Sequence, residues 1–380
     1  MPDFVFEECL LKHYIRKEVW LPFCRDRLKS IRAAAKQSKD SRRLRYFTFC
    51  AIGALDVLLL DREKVIRKSS TDEFDTVFFF DTNEDSVIET RKRIPGANGF
   101  PGDFADIVLQ AIDGDAELDL QIPQDLPDTK EVRQKQMKKA QLGAFIASFP
   151  FDVVNLDVER YLFRPSEKLP GILTNAMRRI LEWQRRPGVG SNRKAFALDE
   201  FTMMFTTQVG PTGLPDEYMS YLRDDCLVSN LAAHHELNDP FLRKSNGKNP
   251  AQFFQNDFDG AFKLAVPKGL SELALEQDWY IDDKKGIEVY QFDRSFANGT
   301  YRMLHMAMTV KRQAPPKEQR APGQRAATAL GTHKNTIIKL FDKDVVAVES
   351  LVTGQLEAEL KADLDLLFKH RARYYKPPPD

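Results

Sequence analysis

Three short apolar runs constrain the fold of this chain more than any other feature of its sequence. The first, residues 46–52, is rich in aromatic and β-branched residues and is followed by Gly53. The second, residues 76–80, is apolar after Thr76 and stops at Asp81, and the third, residues 151–157, has a polar exit. Runs of this length and composition are typical of strands that are covered on both faces of a sheet.

Helical patterns separate these runs. Apolar residues recur at helical spacing after Gly53, and residues 81–83 supply the start of a second helix that runs through Arg93. Later in the chain, Asn298-Gly299 lies between two strand-like runs and predicts an antiparallel hairpin. The pattern therefore predicts an α/β fold with a doubly wound, mostly parallel sheet, whose ligands bind at the carboxyl ends of the strands.

We divide the chain into four parts on the basis of composition and pattern. Residues 1–43 are expected to form a basic helical segment, and residues 44–312 the α/β domain. Residues 214–285 form a helical insertion in that domain, longer than a simple connection between strands. Residues 313–330 are predicted to be a proline-bearing linker and residues 331–380 a C-terminal helical segment.

Composition excludes several classes of protein. The 380-residue chain has 56 Lys and Arg and 56 Asp and Glu, so no global field directs it to nucleic acid or to a membrane. Its four cysteines are scattered without a CxxC pair, which favours free thiols and indicates neither a zinc site nor a disulfide framework. With no long apolar run and no signal peptide, we expect a cytoplasmic protein that does not cross a membrane.

Local charge is less even. Residues 12–45 are strongly basic, and Arg42, Arg43 and Arg45 lie at the end of this segment. Two interpretations remain open: a solvated helical face that covers the edge of the sheet, or a contact for RNA, DNA or an acidic protein partner. In the second interpretation, the N-terminal and C-terminal helices are also surfaces for docking a partner.

The order of these features resembles that of the class I S-adenosylmethionine-dependent methyltransferases. The resemblance covers residues 44–312 and rests on the glycine after the first strand, the acid after the second, Gly-Asp-Phe at 102–104 and Asn-Leu-Asp at 155–157. It implies a Rossmann-like fold, S-adenosylmethionine as the cofactor and transfer of a methyl group as the reaction.

The resemblance also implies which residues bind the cofactor. Gly53 would lie against the methionine part, where a glycine lets the backbone approach the ligand. Asp81 would accept hydrogen bonds from the ribose hydroxyls, which a carboxylate binds strongly. Asp103 and Phe104 would contact the adenine ring, the latter by stacking.

At the exit of the fourth strand of the family pattern, Asn155 and Asp157 are implied to face the methyl group and are the candidate catalytic residues. Methyl transfer depends mainly on positioning, because the sulfonium of the cofactor already carries a good leaving group. The alternative for Asn155 and Asp157 is that they only cap the following segment.

Two functional hypotheses remain. The first is a methyltransferase that acts on a nucleic acid or another macromolecule. The second is a catalytically silent protein of the same fold that serves as a binding subunit in a larger assembly, which the single glycine of the first loop favours. A third class, another nucleotide-binding Rossmann-type enzyme such as a dehydrogenase, is disfavoured because the chain lacks a GxGxxG motif.

Overall fold

The computed structural model describes residues 7–38, 42–50, 53–105, 107–108, 143–158, 172–189, 195–209, 269–271, 273–282, 288–296, 299–313 and 345–372, with positions 220, 224, 252 and 339. Most of the predicted insertion and nearly all of the predicted linker lie outside these ranges. Within the described part of the chain, no helix is both long enough and apolar enough to span a bilayer.

A nine-stranded mixed sheet forms the centre of the fold, and a separate two-stranded sheet is formed by Gly188–Val189 (β5) and Ala195–Phe196 (β6). The strands of the large sheet are, in chain order, β1 Tyr46–Thr48, β2 Val77–Asp81, β3 Asn98–Pro101, β4 Val153–Asp157, β7 Glu200–Val209, β8 Trp279–Ile281, β9 Glu288–Phe296, β10 Gly299–Arg312 and β11 Val346–Ala347. Their spatial order is β11-β9-β10-β7-β4-β1-β2-β3, with β8 also paired to β10.

Strand β10 is antiparallel to β7, β8 and β9, and the other pairings of the large sheet are parallel. The α/β class, the mostly parallel sheet and the late antiparallel hairpin are therefore confirmed. Strand β8 lies within the range predicted to be a helical insertion. It is extended because it pairs with β10 at Val310 to Arg312.

Helices flank the sheet. They are α1 Glu7–Ile15, α2 Leu21–Ser38, α3 Leu55–Arg62, α4 Glu84–Arg93, α5 Ile172–Trp183, α6 Val348–Leu351 and α7 Gly354–Ala372. A π-helical turn, Arg16–Trp20, joins α1 to α2. Helix α7 packs against both α1 and α3, so the first and last helices of the described chain cover the same face of the sheet.

The two faces of the sheet differ in composition. One face packs a cluster of phenylalanine rings, which includes Phe47, Phe80, Phe104, Phe145 and Phe151. The other face is covered by α1, α2, α3 and α7 and buries aliphatic residues together with a row of polar side chains. This second face carries the candidate functional site.

The strand order reverses between β1 and β4. From β1 the chain adds β2 and β3 on one side, and then adds β4 and β7 on the other side. In open parallel sheets, the crevice outside the carboxyl ends of the strands at such a reversal is the usual ligand-binding position. The expected ligand-binding position is therefore at the carboxyl ends of β1, β2 and β4.

Candidate functional site at the carboxyl end of the fourth strand

Strand β4 places Asn155 and Asp157 on the same face of the sheet, because side chains alternate along a strand. Asn155 is fully buried, and the Asp157 side chain is 9% exposed. Asp157 lies opposite Thr206 of β7, which in turn lies opposite His305 of β10. Four polar side chains thus share one buried face and require hydrogen-bond partners there.

A network around Asp56, in the first turn of α3, fixes the orientation of Asn155. The hydroxyls of Tyr46 and Thr48 both donate to Asp56 Oδ2, at 2.9 and 2.8 Å. Since the Tyr46 hydrogen is directed to Asp56, the Tyr46 oxygen accepts from Asn155 Nδ2 at 2.9 Å. Burial, reinforced by the Asp56 charge, raises the pKa of Tyr46, so the phenol keeps its proton.

The Asn155 amide consequently presents its oxygen away from Tyr46. Asn155 Oδ1 is buried and has no hydrogen-bond partner among the described residues. A swapped amide would direct this oxygen at the lone pairs of the Tyr46 oxygen, which excludes the alternative orientation. Asn155 therefore offers a fixed acceptor at the end of β4.

Lys12 of α1 reaches the same place. Its ammonium forms an ion pair with Asp157 Oδ2, and both side chains are at most 10% exposed. The second carboxylate oxygen, Asp157 Oδ1, is buried and lacks a hydrogen-bond partner in the described part of the chain. A buried acceptor left without a donor costs about 1–3 kcal/mol, so two such oxygens on one short strand are unusual in a folded core.

His305 is the member of this polar group that lies on β10. Trp20 Nε1 donates to His305 Nε2 at 3.0 Å, and this assigns the proton to Nδ1, which donates to Thr206 Oγ1 at 3.0 Å. Burial, and to a lesser degree the charge of Lys12, lowers the pKa of His305 to about 3. The imidazole is therefore neutral, and both of its nitrogens are engaged.

Asp81 and Gly53 lie at the ends of the neighbouring strands. Asp81 is the last residue of β2 and is partly exposed, and its Oδ1 accepts from the backbone N–H of Asn83 at 2.9 Å. Asn83 then caps α4 by accepting from Asp85 N at 2.8 Å. Gly53 is in the turn that enters α3, followed by Ala54 in the left-handed region with φ of 46°.

Asp103 and Phe104 follow β3. Asp103 is exposed, and its Oδ1 accepts from Ala105 N at 2.9 Å, as at a helix start. Phe104 is 7% exposed and belongs to the phenylalanine cluster, with ring centroids 4.9 Å from Phe49 and 5.5 Å from Phe80. The predicted adenine contacts of both residues remain predictions.

The three predicted contact residues, Arg42, Arg43 and Arg45, lie just before β1, at the amino ends of the parallel strands and opposite the candidate site. Arg42 donates to the fully buried Asp152 at 2.5 Å, and the Arg45 backbone N–H donates to the same carboxylate at 3.0 Å. Arg43 binds Asp75 through two hydrogen bonds of 2.6 and 2.5 Å. These arginines hold segments of the fold together, and their predicted contact with nucleic acid remains a prediction.

Several residues of the site were assigned no functional role from the sequence. Lys12 is one cation within a basic segment, and nothing in its neighbourhood shows that it points inward. Asp56 carries a usable signal, because it is a lone carboxylate in an otherwise apolar stretch at the start of α3. His305 and Thr206 become meaningful only once the register of β7 and β10 is known.

A scan against models of known protein families found no match, and a search of curated proteins found no significant similarity. Among the described residues, no group of three or more His, Cys, Asp and Glu side chains is placed to hold a metal ion. The function is therefore inferred from the geometry of the strand ends.

Proposed function

We propose that this protein is an S-adenosylmethionine-dependent methyltransferase that acts on a nucleic acid or another macromolecule. The observation that carries the proposal is the buried polar end of β4, next to the reversal of strand order, where Asn155 and Asp157 each hold an acceptor oxygen without a partner among the residues that the structure describes. A binding crevice is expected at this position in a doubly wound sheet.

The residues around the expected crevice fit the cofactor chemically. Asp81 ends the strand next to β1, where its carboxylate would accept hydrogen bonds from the ribose hydroxyls. Gly53 would border the methionine part, and Asp103 would accept from the adenine amino group. Bound S-adenosylmethionine would supply an electrophilic methyl group.

The protein's own contribution would be positioning. Asn155 Oδ1 and Asp157 Oδ1 can each accept a hydrogen bond from an N–H or O–H of the methyl acceptor. The Asp56–Tyr46 network fixes the Asn155 amide before the acceptor arrives, so little reorganisation is needed on binding. His305 is neutral and already bonded on both nitrogens, so we assign it no proton transfer.

A calorimetric titration tests the cofactor assignment. We expect wild type to bind S-adenosylmethionine and S-adenosylhomocysteine with micromolar affinity, and Asp81→Asn to bind at least about 10-fold more weakly, which corresponds to about 1.4 kcal/mol. Asn keeps an oxygen for the Asn83 backbone, so the turn is preserved. Asp85→Asn, on the exposed start of α4, is the matched control and should bind as wild type does.

A second candidate function is a binding subunit of the same fold without transfer activity. The Lys12–Asp157 ion pair favours it, because a buried cation already fills part of the end of β4. A folded wild type that binds neither form of the cofactor would support this candidate and exclude the methyltransferase.

The macromolecular partner needs a separate measurement. Binding of tRNA or duplex DNA that weakens steeply with salt would support a nucleic acid. Arg43→Glu is the informative variant, since Arg43 and Asp75 are partly exposed, whereas Arg42 is bonded to a fully buried acid. Unchanged nucleic-acid binding in Arg43→Glu would show that the contact is not at the amino ends of the strands near Arg43.

A further inference from the structure

We infer that the carboxyl end of β4 is a binding subsite for the amino group of a ligand, and that Lys12, which pairs with Asp157 Oδ2, occupies part of this subsite when no ligand is bound. The inference does not depend on methyl transfer, because it concerns only which chemical group the subsite accepts. It applies equally to an enzyme and to a binding subunit.

The polarity of the subsite selects the ligand group. Asn155 Oδ1 and Asp157 Oδ1 are buried acceptors without partners in the described chain, and Asp157 carries a negative charge through its pairing with Lys12. A carboxylate or carbonyl ligand has no hydrogen to donate to these oxygens. An amino group has two or more N–H donors on one nitrogen and, when protonated, also the charge that matches Asp157.

Lys12 has the properties of an internal occupant. It belongs to α1 and lies 145 residues before Asp157 in the chain. Its ammonium therefore reaches a carboxylate of a different element, β4. The neighbouring His305 is neutral, so Lys12 supplies the positive charge beside Asp157. A second ammonium would be repelled while Lys12 stays in place, and the two should therefore compete.

This competition would change how α1 is attached to the rest of the fold. His13, the next residue, is buried and bonds Asp363 of α7 at 2.8 Å. Lys12 and His13 thus attach α1 at two separate points, and displacement of Lys12 releases only one of them. A ligand amine would loosen the sheet side of α1 without detaching the helix from α7.

Chemical rescue of a lysine deletion tests the subsite directly. Lys12→Ala removes Cγ, Cδ, Cε and Nζ, which together correspond to n-propylammonium. We expect Lys12→Ala to melt at a lower temperature than wild type and n-propylammonium at tens of millimolar to raise its melting temperature by about 2 °C or more. Sodium chloride and tetramethylammonium at the same ionic strength should not do so, because neither has an N–H donor.

A control lysine and a second Lys12 variant show whether the rescue is specific to the subsite. Lys29→Ala removes a side chain that is 75% exposed and pairs only with its own helix, so it should show no response to propylammonium. If Lys12→Ala does not fold, Lys12→Met retains the apolar stem and removes only the ammonium, and ammonium chloride becomes the probe. Absence of rescue in both Lys12 variants, or equal rescue by sodium, would overturn the inference.

Discussion

Trp20 Nε1 donates a hydrogen bond to His305 Nε2 at 3.0 Å. The bond links the N-terminal helices to β10, which runs antiparallel to its neighbours in the large sheet. The bond requires a neutral imidazole, because a protonated Nε2 cannot accept it. Burial first, and the charge of Lys12 second, lower the pKa of His305 from 6.5 to about 3. Stability should therefore depend on pH through this residue.

The direction of this pH dependence follows from the number of protons that the folded and unfolded chains bind. Between pH 6.5 and about 3 the unfolded chain binds a proton on His305 that the folded chain does not bind, so the free energy of unfolding decreases as the pH falls through this window. The slope is at most about 1.4 kcal/mol per pH unit. His305→Gln keeps an oxygen acceptor for Trp20 and removes the titration.

We therefore expect wild type to lose about 2 kcal/mol more than His305→Gln between pH 7 and pH 5, as measured by urea denaturation. Other titrating groups, including His13, are present in both proteins and cancel in the comparison. Parallel pH profiles for the two proteins would show that His305 is not buried as a neutral imidazole.

Asp152 gives a second prediction, which concerns the arginines near the amino ends of β1 and β4. Its carboxylate is fully buried and accepts from Arg27 at 2.9 Å and from Arg42 at 2.5 Å. Burial alone would raise the pKa of Asp152, but these two guanidinium groups outweigh it and lower the pKa. Removal of the charge would leave the largely buried Arg42 without this counter-ion and Arg27 with Glu200 as its remaining acidic partner.

Asp152→Asn should therefore cost about 3–5 kcal/mol in the free energy of unfolding. Asp75→Asn breaks a comparable pair with Arg43, but the Asp75 side chain is 40% exposed, and we expect a loss of about 1 kcal/mol or less. Chemical denaturation of the two variants beside wild type measures both values. Equal losses would contradict a structural role for the buried cluster.

The strand ends illustrate what the sequence could predict. The run that stops at Asp81 becomes β2, and the exit at Asn155 to Asp157 becomes the end of β4, because apolar runs of strand length report burial on both faces. The hairpin formed by β9 and β10 follows from the same kind of local pattern. These features depend on neighbours in sequence, and the fold class was accordingly predictable.

The contents of the site were not predictable in the same way. Lys12 meets Asp157, and Trp20 meets His305, across 145 and 285 residues of chain. Only the packing of α1 and α2 on the sheet decides that these polar groups are inside. A basic helix with an apolar stripe looks the same in sequence whether one lysine points inward or outward.

Gly99 in β3 provides a third prediction, on backbone packing. A Cβ at this position would lie 2.4 Å from Phe79 Cζ and 2.8 Å from Val87 Cγ1, and both side chains are buried. Gly99→Ala should cost about 1–3 kcal/mol, because the phenylalanine ring and the helix above it must shift. Gly143→Ala is the control, since a Cβ there meets nothing within 4 Å, and thermal unfolding should show little change for it.

Phe104 allows the cofactor proposal to be separated from simple core packing. Phe104 and Phe149 both belong to the phenylalanine cluster and are 7% and 3% exposed. Phe104 follows β3 next to Asp103, near the proposed adenine position, whereas Phe149 precedes the amino end of β4. A leucine at either position removes part of a ring from the same cluster and should cost about 1–2 kcal/mol of stability, less than the ~3–5 kcal/mol of a change to alanine.

If Phe104 also stacks on the adenine ring, its substitution should act on binding as well as on stability. We expect Phe104→Leu to weaken S-adenosylhomocysteine binding several-fold in calorimetric titrations, because a leucine side chain has no π-face to stack against the ring. Phe149→Leu should bind as wild type does, despite a similar loss of stability. Equal affinities in the two variants would leave Phe104 as a core residue and remove it from the cofactor site.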